Sequence, residues 1–421
     1  MELSQRGTKM GGLSGIRSIM EDIALAARDA SGGTWLNLSP GNPAAIPEVT
    51  RAWQELYEET LAERFARSST QYGPSRGSEE FVDAIVRYFN SRYGWGISAR
   101  NVLVGAGCQM LCFIATTLFT GPYTEGSRRL VLPCVPDYTG YTGLSMEVSG
   151  TVGVAGRVVR EEGRAFHYRV DLDAVRRQEA MGMMLLSSPG NPTGRGIRED
   201  ELAGLIDIAV ERDVPLLIDH AYGEPFPGVA QDEVAPLLHP NVINCFTLSK
   251  AGLPAERLGF AIGSEDIIDA MVSFTANSYL HAPQLAQATA ARAMNTGVLD
   301  RLSDSVIRPY YRRKRQVAEK LLHERLPESV DWRLHSSDGG MFCWLWIDHD
   351  WFDDLALYEE LKRRKMFIVP GRNFFVEPFA SPAQAAHGRR CVRLSLTPDE
   401  SVIGEGISRL AQAVQEMSHA D

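Results

Sequence analysis

The sequence predicts an α/β chain: a mainly parallel sheet with helices on both faces, plus a smaller α+β domain. Three observations carry that expectation. Short apolar runs alternate with helical periods through the middle of the chain, and such runs belong in a sheet covered on both sides. After about residue 295 a long charged helical stretch precedes three more strand-like runs. Residues 1–50 are rich in Gly and Pro and carry no clear period. A length of 421 residues leaves room for two or three folding units and a sizeable core. We therefore expect an N-terminal arm (1–50) joining the small domain, a large domain (51–295) and a small C-terminal domain (296–421).

Val102–Gly107 reads as the first strand. Met110, Phe113, Ile114 and Thr117 then fall at i, i+3, i+4 and i+7, one face of a helix. Arg129–Val135, Thr151–Val159 and Met183–Ser188 are further strand runs. Leu202, Leu205, Ile206 and Ala209 mark an amphipathic helix that closes at Asp213, before Pro215. Leu216–Asp219, Val242–Leu248 and Leu258–Ile262 complete the large-domain set. Leu299–Leu326 reads as helix with a kink at Pro309, which lacks an N–H and crowds the preceding turn. Gly340–Ile347, Met366–Pro370 and Cys391–Leu396 read as strands. Ile403, Ile407, Leu410, Ala411 and Val414 give a closing helix.

Composition narrows function by exclusion. The 43 basic and 53 acidic residues give a formal charge of −10, which argues against a general nucleic-acid binder. A local basic pocket for a small anion remains open. Six cysteines are spread without a CxxC pair, and no His pair has zinc-ligand spacing, so no metal site is expected. Such sparse cysteines suit a reducing cytoplasm. Met1–Met20 has no apolar core of the signal-peptide kind, and no run approaches the length of a membrane span. A cytoplasmic protein with no membrane partner is expected.

The chemistry starts at Gly105-Ala106-Gly107-Cys108-Gln109, a glycine turn between strand and helix. Such a turn exposes backbone N–H groups at the positive end of a helix, an anion site. Ser188-Pro189-Gly190-Asn191-Pro192-Thr193-Gly194 follows a buried strand at its C-terminal end, where open α/β sheets bind ligands. Asp219 ends another strand 28 residues after Asn191, with Tyr222 beside it, and Lys250 follows Tyr222 by 28. That period matches a β-α-β step, so Asn191, Asp219 and Lys250 should gather at one sheet edge. Arg257 follows seven residues on, before a further strand. An acid, a phenol, an amide, an amine and an arginine at one place form the inventory for pyridoxal 5'-phosphate. The acid keeps the ring nitrogen protonated by charge pairing. The lysine forms an imine and moves a proton.

These residues resemble the fold-type I pyridoxal-phosphate enzymes of the aspartate aminotransferase superfamily. Asn191-Pro192-Thr193-Gly194, Asp219 with Tyr222, Ser249-Lys250 and Arg257 with Gly259 stand in that family's order and spacing, over nearly the whole chain. Cys391-Val392-Arg393-Leu394-Ser395 looks like its carboxylate-binding arginine. Gly41-Asn42-Pro43, the Ala221–Gly228 stretch and Pro370-Gly371-Arg372-Asn373-Phe374-Phe375 look like the valine–pyruvate aminotransferases. The resemblance implies that Lys250 carries the cofactor, Asp219 meets the ring nitrogen, and Tyr222 and Asn191 bond the ring oxygen. It implies that Arg257, Thr247, Ser249 and the backbone from Gly107 through Cys108 to Gln109 hold the phosphate, and that Tyr138 stacks on the ring. Arg393, with Asn191 and the Gly41 backbone, would grip the substrate α-carboxylate. Tyr72 would reach the phosphate of a neighbouring subunit, which implies a homodimer with shared active sites. Cys108 stands where the family has a hydroxyl residue, and a thiol is a poorer partner for phosphate. His220 neighbours Asp219 but points to the opposite face of its strand, a structural reading.

The implied function is an aminotransferase moving an amino group between a small neutral aliphatic amino acid and a 2-oxo acid. No motif supplies a second arginine for a side-chain carboxylate, though Arg76 or Arg292 could serve. Leu13, Ile16 and other apolar residues of the arm would border the side-chain pocket. The alternative on the same scaffold is β- or γ-elimination, replacement or C–C bond formation. A ligand-sensing regulator would need a DNA-binding segment ahead of the large domain, and residues 1–50 carry no helix-turn-helix pattern.

Overall fold

The apolar runs in the middle of the chain form one sheet because they have no side that tolerates water. In the computed structural model, which describes residues 1–12, 15–26, 34–229, 235–337, 339–377, 379 and 381–419, Met181–Ser187, Leu216–Asp219 and Val242–Thr247 are buried at every position. Alternate residues serve opposite faces. Leu217, Ile243, Met183 and Leu185 pack with Leu111 and Ile114 of the helix Cys108–Phe119. Leu216, Ile218, Met184 and Leu186 pack with Leu205 and Ile208 of the helix Glu199–Arg212. Each such side chain contributes about 1.5–3 kcal/mol by leaving water, so both helices are tied to the sheet.

Among the described residues the sheet has eight strands. From one edge they run Val102–Gly105, Gly259–Ile262, Val242–Thr247, Leu216–Asp219, Met181–Ser187 and Gly126–Val135. The last of these also pairs with Gly121–Tyr123 and Thr151–Ala155. The four pairings from Val242–Thr247 to Thr151–Ala155 are parallel. Gly259–Ile262 runs antiparallel to both neighbours, a departure that a buried run cannot reveal, since it reads the same in either direction.

The run expected as one strand over Thr151–Val159 divides at Gly156. Thr151–Ala155 stays in the first sheet, while Arg157–Arg160 and Ala165–Arg169 enter a second one. A Cβ at Gly156 would lie 2.8 Å from the Cys134 sulfur and 3.0 Å from Tyr168 Cβ, so the crossing requires glycine. The second sheet continues through Trp332–His335, Phe342–Ile347, Cys391–Ser395 and Val369–Pro370. Met366–Phe367, also expected in one run with Val369–Pro370, pairs instead with Leu36–Asn37. That short parallel ladder fastens the arm to the C-terminal part of the chain.

The long helical stretch breaks one turn before Pro309. Val298–Leu302 gives way to a wider turn at Ser303–Ile307, and Arg308–Arg325 follows. Pro309 thus stands in the first turn of a helix, where its missing N–H costs nothing. The arm, expected without period, holds two helices, Gln5–Gly11 and Gly15–Ala26. Among the described residues no helix is long and apolar enough to cross a membrane.

Candidate active site

Strand register brings the chemistry together. Ser187, Asp219 and Cys245 are in register across three parallel strands. Asn191 leaves just beyond the first, Asp219 ends the second, and Lys250 follows the third. A cavity of about 540 Å³ opens at this edge, lined by Asn191, Asp219, Tyr222, Lys250, Arg257 and Arg393. Gly41, Cys108, Gln109, Tyr138, Thr247 and Ser249 line it as well.

Lys250 donates to the Gly41 carbonyl at 2.6 Å, and its Nζ lies 5.6 Å from the Tyr222 ring centre. Burial and the Arg393 charge push its amine down to about 8, with Asp219 pulling the other way. Asp219 is 5% exposed. Its Oδ2 accepts the Tyr141 hydroxyl at 2.8 Å and its Oδ1 the Ala221 N–H at 3.0 Å. Burial raises this carboxyl, while Tyr141, the Cys108 thiol, the Ala221 N–H and Lys250 counter it. Cys108 therefore turns its thiol toward Asp219. Among the described residues no cation pairs with Asp219 at salt-bridge distance, so the acid is poised for a cationic partner in the cavity.

An anion cradle lies beside it. Gly107, at φ +82°, starts the helix Cys108–Phe119 and donates its own N–H to Gly105. Among the described residues the N–H groups of Cys108 and Gln109 find no hydrogen-bond acceptor, the usual state of a helix start awaiting an anion. A Cβ on Gly107 would come within 2.8 Å of the Arg257 guanidinium, so glycine lets that cation close the cradle. Arg257 reaches Ser249 Oγ at 3.5 Å, and the Thr247 hydroxyl donates to Ser249 Oγ at 3.0 Å. A cation, two hydroxyls and two free N–H groups fit a phosphate; Asp219 fits a protonated ring nitrogen. The residues present fit pyridoxal phosphate.

Arg393 is 3% exposed, with its guanidinium 4.2 Å from the Phe342 ring centre and 5.2 Å from that of Phe374. It donates to Asn191 Oδ1 at 3.1 Å and to the Ser39 carbonyl at 2.6 Å, and among the described residues its Nε has no partner. Burial pushes it down to about 10, so it stays charged near neutrality. Asn191 also donates to the Tyr222 hydroxyl at 3.4 Å.

Other expected residues lie elsewhere. Tyr72 is 87% exposed, stands edge-on to His281 and does not line this chain's cavity. His220 bonds Asn244 at 2.9 Å and stacks on Phe246, away from the cavity. Arg76 is committed to Asp269 and three backbone carbonyls, and Arg292 to Glu59 and Glu63. Neither supplies a second carboxylate anchor. Leu13 and the Ile16 side chain lie outside the described residues, while Ile19, Met20 and Ile23 roof the cavity.

Sequence reasoning missed Tyr141. It follows Tyr138 by three residues in a tight turn, Thr139–Tyr141, and its ring meets Tyr138 edge-on at 5.2 Å. Two tyrosines at that spacing ahead of a turn were the available signal.

The fold and this strand-edge site define a class. Residues 34–410 match the family model for aminotransferase class I and II, and the chain belongs to that pyridoxal-phosphate-dependent family. It is similar to the valine–pyruvate aminotransferase of Escherichia coli (strain K12), at 31% identity over 99% of this chain and 98% of that one. The crystal structure of valine-pyruvate aminotransferase from Salmonella typhimurium LT2 matches with a TM-score of 0.87 and 29% identity, covering 97% of this chain and all of that one. An α-aminoadipate aminotransferase from Thermus thermophilus, solved with N-(5'-phosphopyridoxyl)-L-leucine, shares the fold at a TM-score of 0.78 and 23% identity, covering 100% and 98% of the two chains.

Proposed function

We propose that this aminotransferase holds pyridoxal phosphate on Lys250 and moves an amino group between a small neutral aliphatic amino acid, of the valine or alanine type, and a 2-oxo acid of the pyruvate type. The observation that carries the reading is the convergence of Lys250, Asp219 and Arg393 on one cavity with an apolar roof. When bound, the cofactor supplies an electron sink for the electrons freed at the substrate α-carbon. Arg257, Ser249, Thr247 and the N–H groups of Cys108 and Gln109 hold its phosphate. Asp219 would keep its ring nitrogen protonated, Tyr138 would pack on the ring, and Asn191 and Tyr222 would bond its ring oxygen. The neutral Lys250 amine would take the proton from the substrate α-carbon and, as an ammonium, give it back in a 1,3-shift. Arg393 clamps the α-carboxylate in the two-pronged way guanidinium allows, with Asn191 and the Gly41 backbone beside it. Ile19, Met20 and Ile23 favour an apolar side chain, and such a pocket separates neighbouring methylenes by only about 1–3 kcal/mol.

The same reading includes a cytoplasmic homodimer. Tyr72 stands exposed, as do Leu61, Phe65 and Leu280, and Tyr72 would serve the phosphate of the second subunit. The six free cysteines suit a reducing compartment. The same reading divides the chain into a large domain over 51–295 and a small one of the arm with 296–421, although residues 157–160 and 165–169 pair in the second sheet. The test mixes holoenzyme with one amino acid and no acceptor. Valine or alanine should yield one equivalent of 2-oxo acid per site and then stop. No oxo acid from any aliphatic amino acid, with turnover of one bearing a β- or γ-leaving group, would replace this reading with elimination or replacement.

A further inference from the structure

Asp137 is a buried carboxyl that the chemistry above does not use. It is 4% exposed and does not line the large cavity. Among the described residues no lysine or arginine pairs with it. A lone buried carboxylate is costly. Burial pushes this one up to about 7, against the pull of its own hydrogen bonds and with Asp219 adding to the rise.

Its partners explain what the carboxylate does. Oδ1 accepts the Tyr138 N–H at 2.7 Å and also the Ser187 hydroxyl. Oδ2 accepts the Ser187 N–H at 3.1 Å. The N–H of Asp137 donates to the Phe374 carbonyl at 3.0 Å. Ser187 Oγ in turn accepts the Asn191 N–H at 3.2 Å. Beyond these contacts lie the cavity itself, at Tyr138 and Asn191, and the Phe374 ring against Arg393. One carboxylate thus sits where the ring-facing residue, the Asn191 turn and the wall behind Arg393 meet.

We propose that Asp137 is a positioning residue for amino-group transfer: ionised, it fixes Tyr138 and, through Ser187, Asn191 together, and protonation loosens both. The proposal rests on the reading of the cavity given above. A proton on Oδ1 would donate to Ser187 Oγ and force the serine hydrogen off the carboxylate, so the link to Asn191 changes hands. The titratable groups facing Asp137 are Asp219, Cys112, Cys134 and Tyr141. Arg195, Glu201 and His335 share a small cavity with it. The two thiols and the phenol are raised and stay neutral near pH 7, and His335 is lowered well below its usual value and stays neutral too.

The test compares the wild-type holoenzyme with Asp137→Asn and Ser187→Ala, using valine from about pH 5.5 to 9. Borohydride reduction first locates the cofactor. In the wild type kcat/KM should fall as pH drops through about 7, because the acid limb follows protonation of a raised carboxyl. Asp137→Asn should flatten that limb and lower kcat/KM about tenfold at alkaline pH, the size expected of a small misplacement at a reacting centre. Ser187→Ala should keep the limb and lose about threefold. Unchanged kcat/KM and an unchanged limb in Asp137→Asn would overturn the proposal alone. If that variant does not fold, unchanged kinetics in Ser187→Ala overturns it and the threefold loss supports it. Failure to find the cofactor on wild-type Lys250 would overturn the reading of the cavity, and the proposal with it.

Discussion

The floor and the roof of the cavity are built by different means. Asn191, Asp219 and Lys250 leave neighbouring strands whose ladder holds Ser187, Asp219 and Cys245 in register. A one-residue slip would turn a functional group to the wrong face, so the buried core protects the geometry. The roof is the single helix Gly15–Ala26. It is held by Ile19, which is 5% exposed, and by Asp22, which accepts from Tyr358 at 2.8 Å and from Lys362 at 3.0 Å. Met20 on the same helix is 62% exposed. Among the described side chains of this helix Ile19 alone is buried, and an element so exposed opens locally at low cost. Chemistry therefore rests on the rigid part and the choice of side chain on the adjustable one.

Asp219→Ala should strike the floor hardest. Cofactor still binds through the phosphate contacts, but kcat should drop about 10³-fold as the charge opposite the ring is lost. Normal turnover in that variant would refute the role given to Asp219. Tyr141→Phe removes a hydroxyl donor to a buried carboxylate, worth about 1.5–3 kcal/mol. Equilibrium dialysis should then give a cofactor dissociation constant at least about tenfold higher. No change would mean that Asp219 is held without Tyr141.

The amine of the floor carries its own pH dependence. Lys250, pushed down to about 8 chiefly by burial, is charged below that pH and neutral above it. Only the neutral form attacks a carbonyl. Loading of apoenzyme with pyridoxal phosphate should quicken as pH rises through about 8 and level off beyond it; a rate independent of pH across that range would contradict the shift. Asp22→Ala probes the roof. A partly exposed ion pair is worth at most about 1 kcal/mol, so KM for valine should rise no more than about fivefold with kcat unchanged. A matching fall in kcat would erase the distinction between floor and roof.

The floor was legible because strand ends announce themselves. The 28-residue step from Asn191 to Asp219 implied one sheet edge, and both line one cavity. The helix of the roof was not, since a short helix shows its face only against a known partner; residues 1–50 carried no visible period, and it was the family resemblance that set apolar residues of the arm at the side-chain pocket, where Ile19, Met20 and Ile23 lie. Tyr141 and Asp137 escaped for another reason. Tyr141 bonds a residue 78 positions away and Asp137 one 50 away, and nothing local marks such a partnership. The division at Gly156 was hidden too, because the need for glycine comes from Cys134 and Tyr168 across the gap.

Reduction of the holoenzyme with borohydride, followed by peptide mapping, shows which amine carries the cofactor. The chain has six lysines, and a single cofactor adduct is expected on Lys250, absent from Lys250→Ala. An adduct on any other lysine, or none at all in cofactor-saturated protein, would contradict it.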